Sequence, residues 1–285
     1  MTRTEHACAC FLRACELDVA VRKPGNVSLA SPGHGMQAAM FIASAQAAAG
    51  PLFEAGARVG ERIEAAVSAT WAVAGCNTNL GILLLCAPIA KAVEMRPDAR
   101  EPAALQAAIN AVLADLDVKD AAAAYRAIAR ANPGGLGSAP SQDVQQPPSV
   151  DLRAAMALAA PRDSIARQYR DGFVDLFTLG LPALGGGFSR RSEAAQMAAV
   201  QRLYLRLLSR FADSHIVRKH GTAVAQIVMT AAQTWADRAE QAPTPQADAE
   251  FAAWDEALKL ARINPGTTAD LTVATLLIAG LLAPP

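Results

Sequence analysis

Residues 75–90 read GCNTNLGILLLCAPIA. Two asparagines and a threonine are poor residues for a helix interior. Their short polar side chains bond to nearby backbone, which suits turns and N-caps. The apolar run Gly81–Ala90 follows at once and reads as a buried helix. A polar loop therefore points at the positive end of an apolar helix, a place where anions bind.

The rest of the chain fits that reading of fold. Its 285 residues suit one large domain or two small ones. Apolar residues make up 52% and charged residues only 18%, so core material is ample. Aromatics are just 5%, which leaves Ala, Leu and Val to fill the core. Ala-rich, Gly-punctuated sequence with few β-branched runs argues for helix. No strand-like alternation extends beyond a few residues, and no repeat of fixed period is found. The expected class is all-α, a compact multi-helix bundle with polar loops at helix N-termini. Helices are expected near Thr4–Val21, Met36–Ala49, Phe53–Val73, after the GCNTNLG loop to about Glu94, Ala103–Leu116 and Lys119–Ala131. Further ones are expected near 151–160, 163–178, 190–212, 217–240, 249–262 and 267–282. Residues 132–150, NPGGLGSAPSQDVQQPPSV, read as a flexible linker or lid within the bundle.

Charge and cysteines narrow the function. Basic and acidic residues balance at 26 each, so no nucleic-acid surface is expected, and an anionic small molecule would need local cations. Five cysteines in a chain this long do not suggest a disulfide framework, and Cys8, Cys10 and Cys15 lack the paired spacing of zinc sites. They read as small apolar residues of a helix. The start MTRTEHACAC has no apolar targeting core. The longest apolar runs, Gly81–Ala90 and Leu271–Ala283, fall short of the ~18 residues a membrane span needs. No membrane partner is expected, and the localisation expected is cytoplasmic.

Four polar clusters interrupt helical sequence with costly residue types. In the first, Lys23 supplies a point charge, while Gly25, Asn26 and Ser28 permit tight backbone geometry with exposed N–H groups. The second is Asn77-Thr78-Asn79. In the third, FADSHIVRKHGTA, spacings of three and four put His215, Arg218 and Lys219 on one helix face beside Asp213. Asp213 is a candidate for Mg2+, which one or two carboxylates hold together with substrate phosphates. The fourth is Asn264-Pro265-Gly266-Thr267-Thr268-Ala269-Asp270. There Thr267 and Asp270 have the spacing of a capping box, and Asp270 could instead face a cavity. Each cluster taken alone is equally well a turn, a cap or a solvated helix end. The helix around IARQY carries Arg167, Asp171 and Asp175 as a stripe that reads as a surface salt-bridged face.

Taken in order, KPGNVS, NTNLG, IARQY, DSHIVRKHG and NPGTTADLTVATLL resemble the triphosphoribosyl-dephospho-CoA synthase family. These enzymes prepare the prosthetic group of citrate lyase and malonate decarboxylase. The resemblance runs from about residue 11 to 282 and implies a single all-α domain over 1–285. It also implies ATP as a substrate. A hydroxyl of 3'-dephospho-CoA or a related acceptor would attack C1 of the ATP ribose, and adenine would leave. The resemblance implies phosphate or nucleotide contacts from Lys23, Gly25, Asn26, Ser28, Asn77, Thr78, Asn79, His215, Arg218, Asn264, Gly266 and Thr267. Asp213 and Asp270 become the catalytic and metal candidates, with Mg2+ expected. The partners implied are small molecules, and a homo-oligomer is compatible with it. The chain departs from the family pattern twice. Residues 33–36 read GHGM where the pattern has His-Lys-Asp-Met, and Leu80 stands where the pattern has lysine. Losing one charge-assisted contact costs roughly 1.5–3 kcal/mol. The NTNLG version is similar to divergent members from methanogens and methylotrophs, which suggests a related ribosyl-phosphate transfer in tetrahydromethanopterin synthesis as an alternative. A nucleotide-binding protein that kept the fold without the chemistry is the other.

Overall fold

The computed structural model describes residues 1–241 and 248–283. Among the described residues there are fourteen α-helices and no strand. The all-α expectation holds. The GCNTNLG stretch does what its residues dictate. Helix α3 (Val59–Ala74) ends at Gly75 with φ of 65°, a left-handed conformation open to glycine without penalty. Helix α4 (Leu80–Met95) then starts directly after Asn79. Its residues Ile82–Ala90 are all buried.

Helix α4 packs against α1 (Arg3–Ala20), α5 (Pro102–Ala114) and the last helix, α14 (Gly266–Leu282). Helix α14 is nearly as apolar, and it is buried from Leu271 to Ile278. Two all-round apolar helices must be enclosed, and that enclosure explains the arrangement. Helices α1, α2 (Ala38–Leu52), α3 and α6 (Val118–Ala131) complete the larger apolar cluster. A smaller cluster joins α10 (Glu193–Arg210), α12 (Thr222–Gln241) and α13 (Ala249–Leu260) through Trp235 and Phe251, whose rings meet edge-on at 5.0 Å.

Short capped helices carry the polar residues. Helix α7 (Leu152–Ala159) is capped by Asp151, and α8 (Ser164–Asp171) by Asp163. The helix expected over 163–178 stops instead at Gly172, where φ is 68°, and resumes as a wide turn over Leu176–Gly180 leading into α9 (Leu181–Leu184). Arg167 pairs with Asp175 at 3.0 Å across that break, while Asp171 pairs with Arg170. The helix expected over 217–240 is two: α11 (Ser214–His220) and α12, divided by Gly221 with φ of 86°. All five cysteines are free, and no helix among the described residues is long and apolar enough to cross a membrane.

Candidate functional site

The polar helix starts converge. A cavity of about 580 Å³ is lined by Asn77–Asn79 before α4, His215 and Arg218 of α11, and Asn264, Gly266, Thr267 and Asp270 at the start of α14. Asn26 joins them from the first loop. Such a volume suits a cofactor-sized molecule. Lys23, Gly25, Ser28 and Asp213 are not among the lining residues.

Each of those four has a structural post. Lys23 is fully buried. Its ammonium meets the Asp18 carboxylate at 3.1 Å and donates to the Asp18 carbonyl (2.7 Å) and to Asn26 Oδ1 (2.9 Å). It is the counterion of a buried carboxylate rather than a free phosphate clamp. Gly25 has φ of 78°, and its N–H donates to Asp255 Oδ1 at 2.9 Å. A Cβ there would meet the Ile263 carbonyl and the Pro265 ring at 2.8 Å, so glycine lets this loop lie on the segment that leads into α14. Asn26 then ties the two, donating from Nδ2 to Asn264 Oδ1 at 2.9 Å. Ser28 pairs through its backbone with Ser31, and its hydroxyl is buried.

Asp213 is the main correction. Its Oδ1 accepts from the N–H groups of His215 (2.9 Å) and Ile216 (3.1 Å), which caps α11. Its Oδ2 accepts from the N–H (2.7 Å) and hydroxyl (2.8 Å) of Thr268 in the first turn of α14. One carboxylate thus serves two helix starts and has no acceptor position left for a metal. Thr267 and Asp270 form no capping box because α14 already begins at Gly266, with Pro265 at the N-cap and Thr267 inside the first turn. We expect Asp213→Ala to cost about 1.5–3 kcal/mol, the worth of hydrogen bonds to a charged group. Urea unfolding checks this, and an unchanged midpoint would mean that other groups hold the two helix starts.

Asp270 is then free to face the cavity. Its carboxyl packs against Gly81, where any Cβ would overlap its Oδ2. Burial holds it well above the usual carboxylate range, and the neighbouring Asp213 and Asp18 charges push the same way. The Arg218 charge opposes this shift and offsets it only in part. Asp18, in the last turns of α1, is a lining residue that sequence reading did not single out. Its one sign is a carboxylate set between Leu17 and Val19 on a buried helix face. His215 is the third perturbed group. Burial, then Lys219 and Arg218, lower its pKa to about 3, so the imidazole is neutral.

Several buried polar atoms on this wall have no partner among the described residues: Asn79 Nδ2, His215 Nε2 and Arg218 Nε. Buried polar groups are nearly always paired, which makes these three atoms the candidates for ligand contacts. At the start of α4, Asn77 Oδ1 accepts from the Leu80 N–H at 3.1 Å, and the Asn79 carbonyl accepts from Leu83 at 3.0 Å. Thr78 donates to Ser44 Oγ at 2.7 Å, which locks the loop to α2. Leu80, at the family's lysine position, is buried on the cavity wall. Cations come instead from Arg162, Arg218 and Lys219, and Arg218 is aimed by its 2.6 Å pair with Asp163. His34, where the family pattern continues, also lines the cavity, with Nε2 bonded to the Gly25 carbonyl at 2.8 Å.

Magnesium fits this wall only as a companion of phosphates. No group of three or more acidic, His or Cys ligands is assembled among the described residues. Carboxyls of Asp18 and Asp270 do line the cavity, and one or two carboxylates plus substrate phosphates are the usual Mg2+ set.

Fold and cavity together define an all-helical protein with a site sized for a small molecule. Within that class, the chain belongs to the CitG family, ATP:dephospho-CoA triphosphoribosyl transferase, which matches residues 4–284. A crystal structure from Archaeoglobus fulgidus, provisionally described as a triphosphoribosyl-dephospho-CoA synthase, is similar in fold at a TM-score of 0.64 and 26% identity. The match covers 84% of this chain and 97% of that one. No curated protein sequence matches the chain. The family moves a triphosphoribosyl group from ATP to dephospho-CoA, which bears out the expected enzyme class and its use of ATP.

Proposed function

We propose that this chain transfers the triphosphoribosyl group of ATP to a hydroxyl of 3'-dephospho-CoA or a close relative, and releases adenine. The observation that carries the reading is the convergence of unpartnered polar atoms, three cations and the carboxyls of Asp18 and Asp270 on a single cavity. In the reaction, the bond from ribose C1 to adenine breaks and a bond from C1 to the acceptor oxygen forms. The hydroxyl proton must end on adenine.

Asp270 can carry that proton. Burial favours its protonated form, so it donates as adenine leaves and, as a carboxylate, accepts the proton of the attacking hydroxyl. Arg218, Lys219 and Arg162 supply charge for the triphosphate. The start of α4 adds the N–H groups of Gly81 and Ile82, which the helix itself cannot use. Neutral His215 offers a hydrogen bond through Nε2 without adding charge. Magnesium, carried with the triphosphate, would be held by Asp18 together with phosphate oxygens and would neutralise part of their charge.

The test is incubation with ATP, Mg2+ and dephospho-CoA, followed by chromatography for free adenine and mass analysis of the coupled product. Stoichiometric adenine and product support the reading. Thermal shift with each ligand runs alongside, since a ligand at a hundred times its Kd adds ~2.7 kcal/mol. Clear stabilisation by both ligands with no adenine released would move the chain to the non-catalytic binding class.

A further inference from the structure

The cavity wall divides by element. The helix starts described above form its polar side. Its other side comes from α6, α7 and the 133–144 segment and is mostly apolar: Ile128, Leu136, Leu152, Ala155 and Met156 are typical. The hydroxyl of Tyr125, also on this side, is already spent on the Gln142 carbonyl at 2.9 Å. No charged side chain of α6 or α7 lines the cavity.

We propose that this apolar side is the binding site for the pantetheine arm of the acceptor, with the 133–144 segment as the wall that reads it. The inference rests on the transfer reaction proposed above. Both substrates bring an adenine, a ribose and phosphates, and the polar side suits those. Only the acceptor brings a long uncharged arm with a dimethyl-bearing carbon and two amides. A site that tells the substrates apart must read what one of them lacks.

The segment suits the arm chemically. Helices α6 and α7 spend their backbone groups internally, so neither can pair with the arm's amides. The 133–144 segment is irregular, and few of its backbone groups are engaged. Leu136 N–H reaches the Pro133 carbonyl at 3.2 Å, and Ala139 N–H reaches Asp143 Oδ2 at 2.6 Å. Gly137 has φ of 65° and nothing within 4 Å of where a Cβ would sit, so a ligand can approach its backbone closely. Both ends of the stretch are fixed. Gly135 lies against the Arg218 carbonyl, where a Cβ would come within 2.8 Å, and Asp143 holds the far end as a turn by accepting from Gln145 N–H at 2.9 Å. Within the 132–150 stretch read as a linker or lid, residues 133–144 thus line the cavity and reach from α11 to α6.

Two variants test this. Ala155→Phe fills the apolar side from a helix face that looks into open cavity, so the fold has no reason to fail. Leu136→Asn removes apolar contact at a position 39% exposed. Titration calorimetry compares dephospho-CoA with ADP, which is the same molecule without its arm. We expect wild type to bind dephospho-CoA about tenfold or more tighter than ADP, as burial of several apolar groups requires. Ala155→Phe should erase that difference and leave ADP affinity unchanged, and Leu136→Asn should reduce it. In steady state, KM for dephospho-CoA should rise while KM for ATP stays level. Equal affinity for the two ligands in wild type would overturn the proposal even if adenine is released. A rise in KM for ATP alone would assign the apolar side to the donor's adenine and overturn it as well. Absence of turnover with the arm-dependent affinity intact would sink the transfer reaction and leave the arm site standing.

Discussion

The Asp270→Asn variant loses turnover by about 10²–10⁴, the usual weight of a proton-transferring group, and is more stable than wild type without ligand at neutral pH. The two effects have one cause. The folded protein holds this carboxyl against Gly81, where desolvation outweighs the opposing Arg218 charge. Its pKa in the fold therefore lies above the ordinary value of 3.8. Below 3.8 the carboxyl is protonated in both states, and its burial carries no penalty from charge. As pH rises, the unfolded chain ionises first and gains solvation that the fold withholds, so stability falls toward the folded pKa. Asparagine keeps the shape and cannot ionise. Its advantage should be absent near pH 4 and grow toward pH 8, reaching about 0.5–2 kcal/mol, the range common when a functional site is relieved. Urea unfolding across pH measures the stability, and adenine release measures the rate. A variant with wild-type kcat would remove Asp270 from the chemistry. A stability profile parallel to wild type would show that the carboxyl is solvated after all.

How far the sequence revealed this site follows from what each residue's role depends on. Helix and loop are local properties, so the Ala-rich periodicity and the Asn, Gly and Pro breaks gave the bundle and its polar helix starts. Asn77–Asn79, His215, Asn264, Gly266, Thr267 and Asp270 reach the cavity because the starts of α4, α11 and α14 meet there, while Asn26 joins from the first loop and Arg218 from the last turn of α11. Lys23 and Asp213 were legible as unusual residues, but their direction was not. Lys23 turns inward because Asp18, one helical turn and a loop earlier, is buried beneath it. Asp213 turns toward Thr268, a neighbour 55 residues away that only the packing of α11 on α14 brings near. Asp18 itself looks like any polar residue of α1 until its helix face is known. The break at Gly172 was masked by the favourable sequence on either side, since one left-handed glycine ends a helix that composition alone would continue.

The pair formed by Asp18 and Lys23 sets the second large effect. Both are almost wholly buried, at 4% and 0% exposure. Removing one partner of such a pair leaves an uncompensated charge and typically costs about 3–5 kcal/mol. Lys23→Met should show this at pH 8. Burial already raises the Asp18 pKa, and Lys23 is what restrains it. Without the lysine, the fold can accept Asp18 only as a protonated acid. The loss should therefore be small near pH 4, where the unfolded chain is protonated too, and grow as pH rises. Adding Asp18→Asn removes the stranded charge, so the double variant should recover most of the stability and lose the added pH dependence. Its turnover should stay low, because the carboxylate we place beside the triphosphate is gone. Double-mutant unfolding curves at pH 5 and 8, read with adenine release, separate these effects. A Lys23→Met protein as stable as wild type at pH 8 would show that the ammonium is not held by Asp18. Lys23 would then return to the cavity as a phosphate contact, and the single variant should fail in ATP binding rather than in folding.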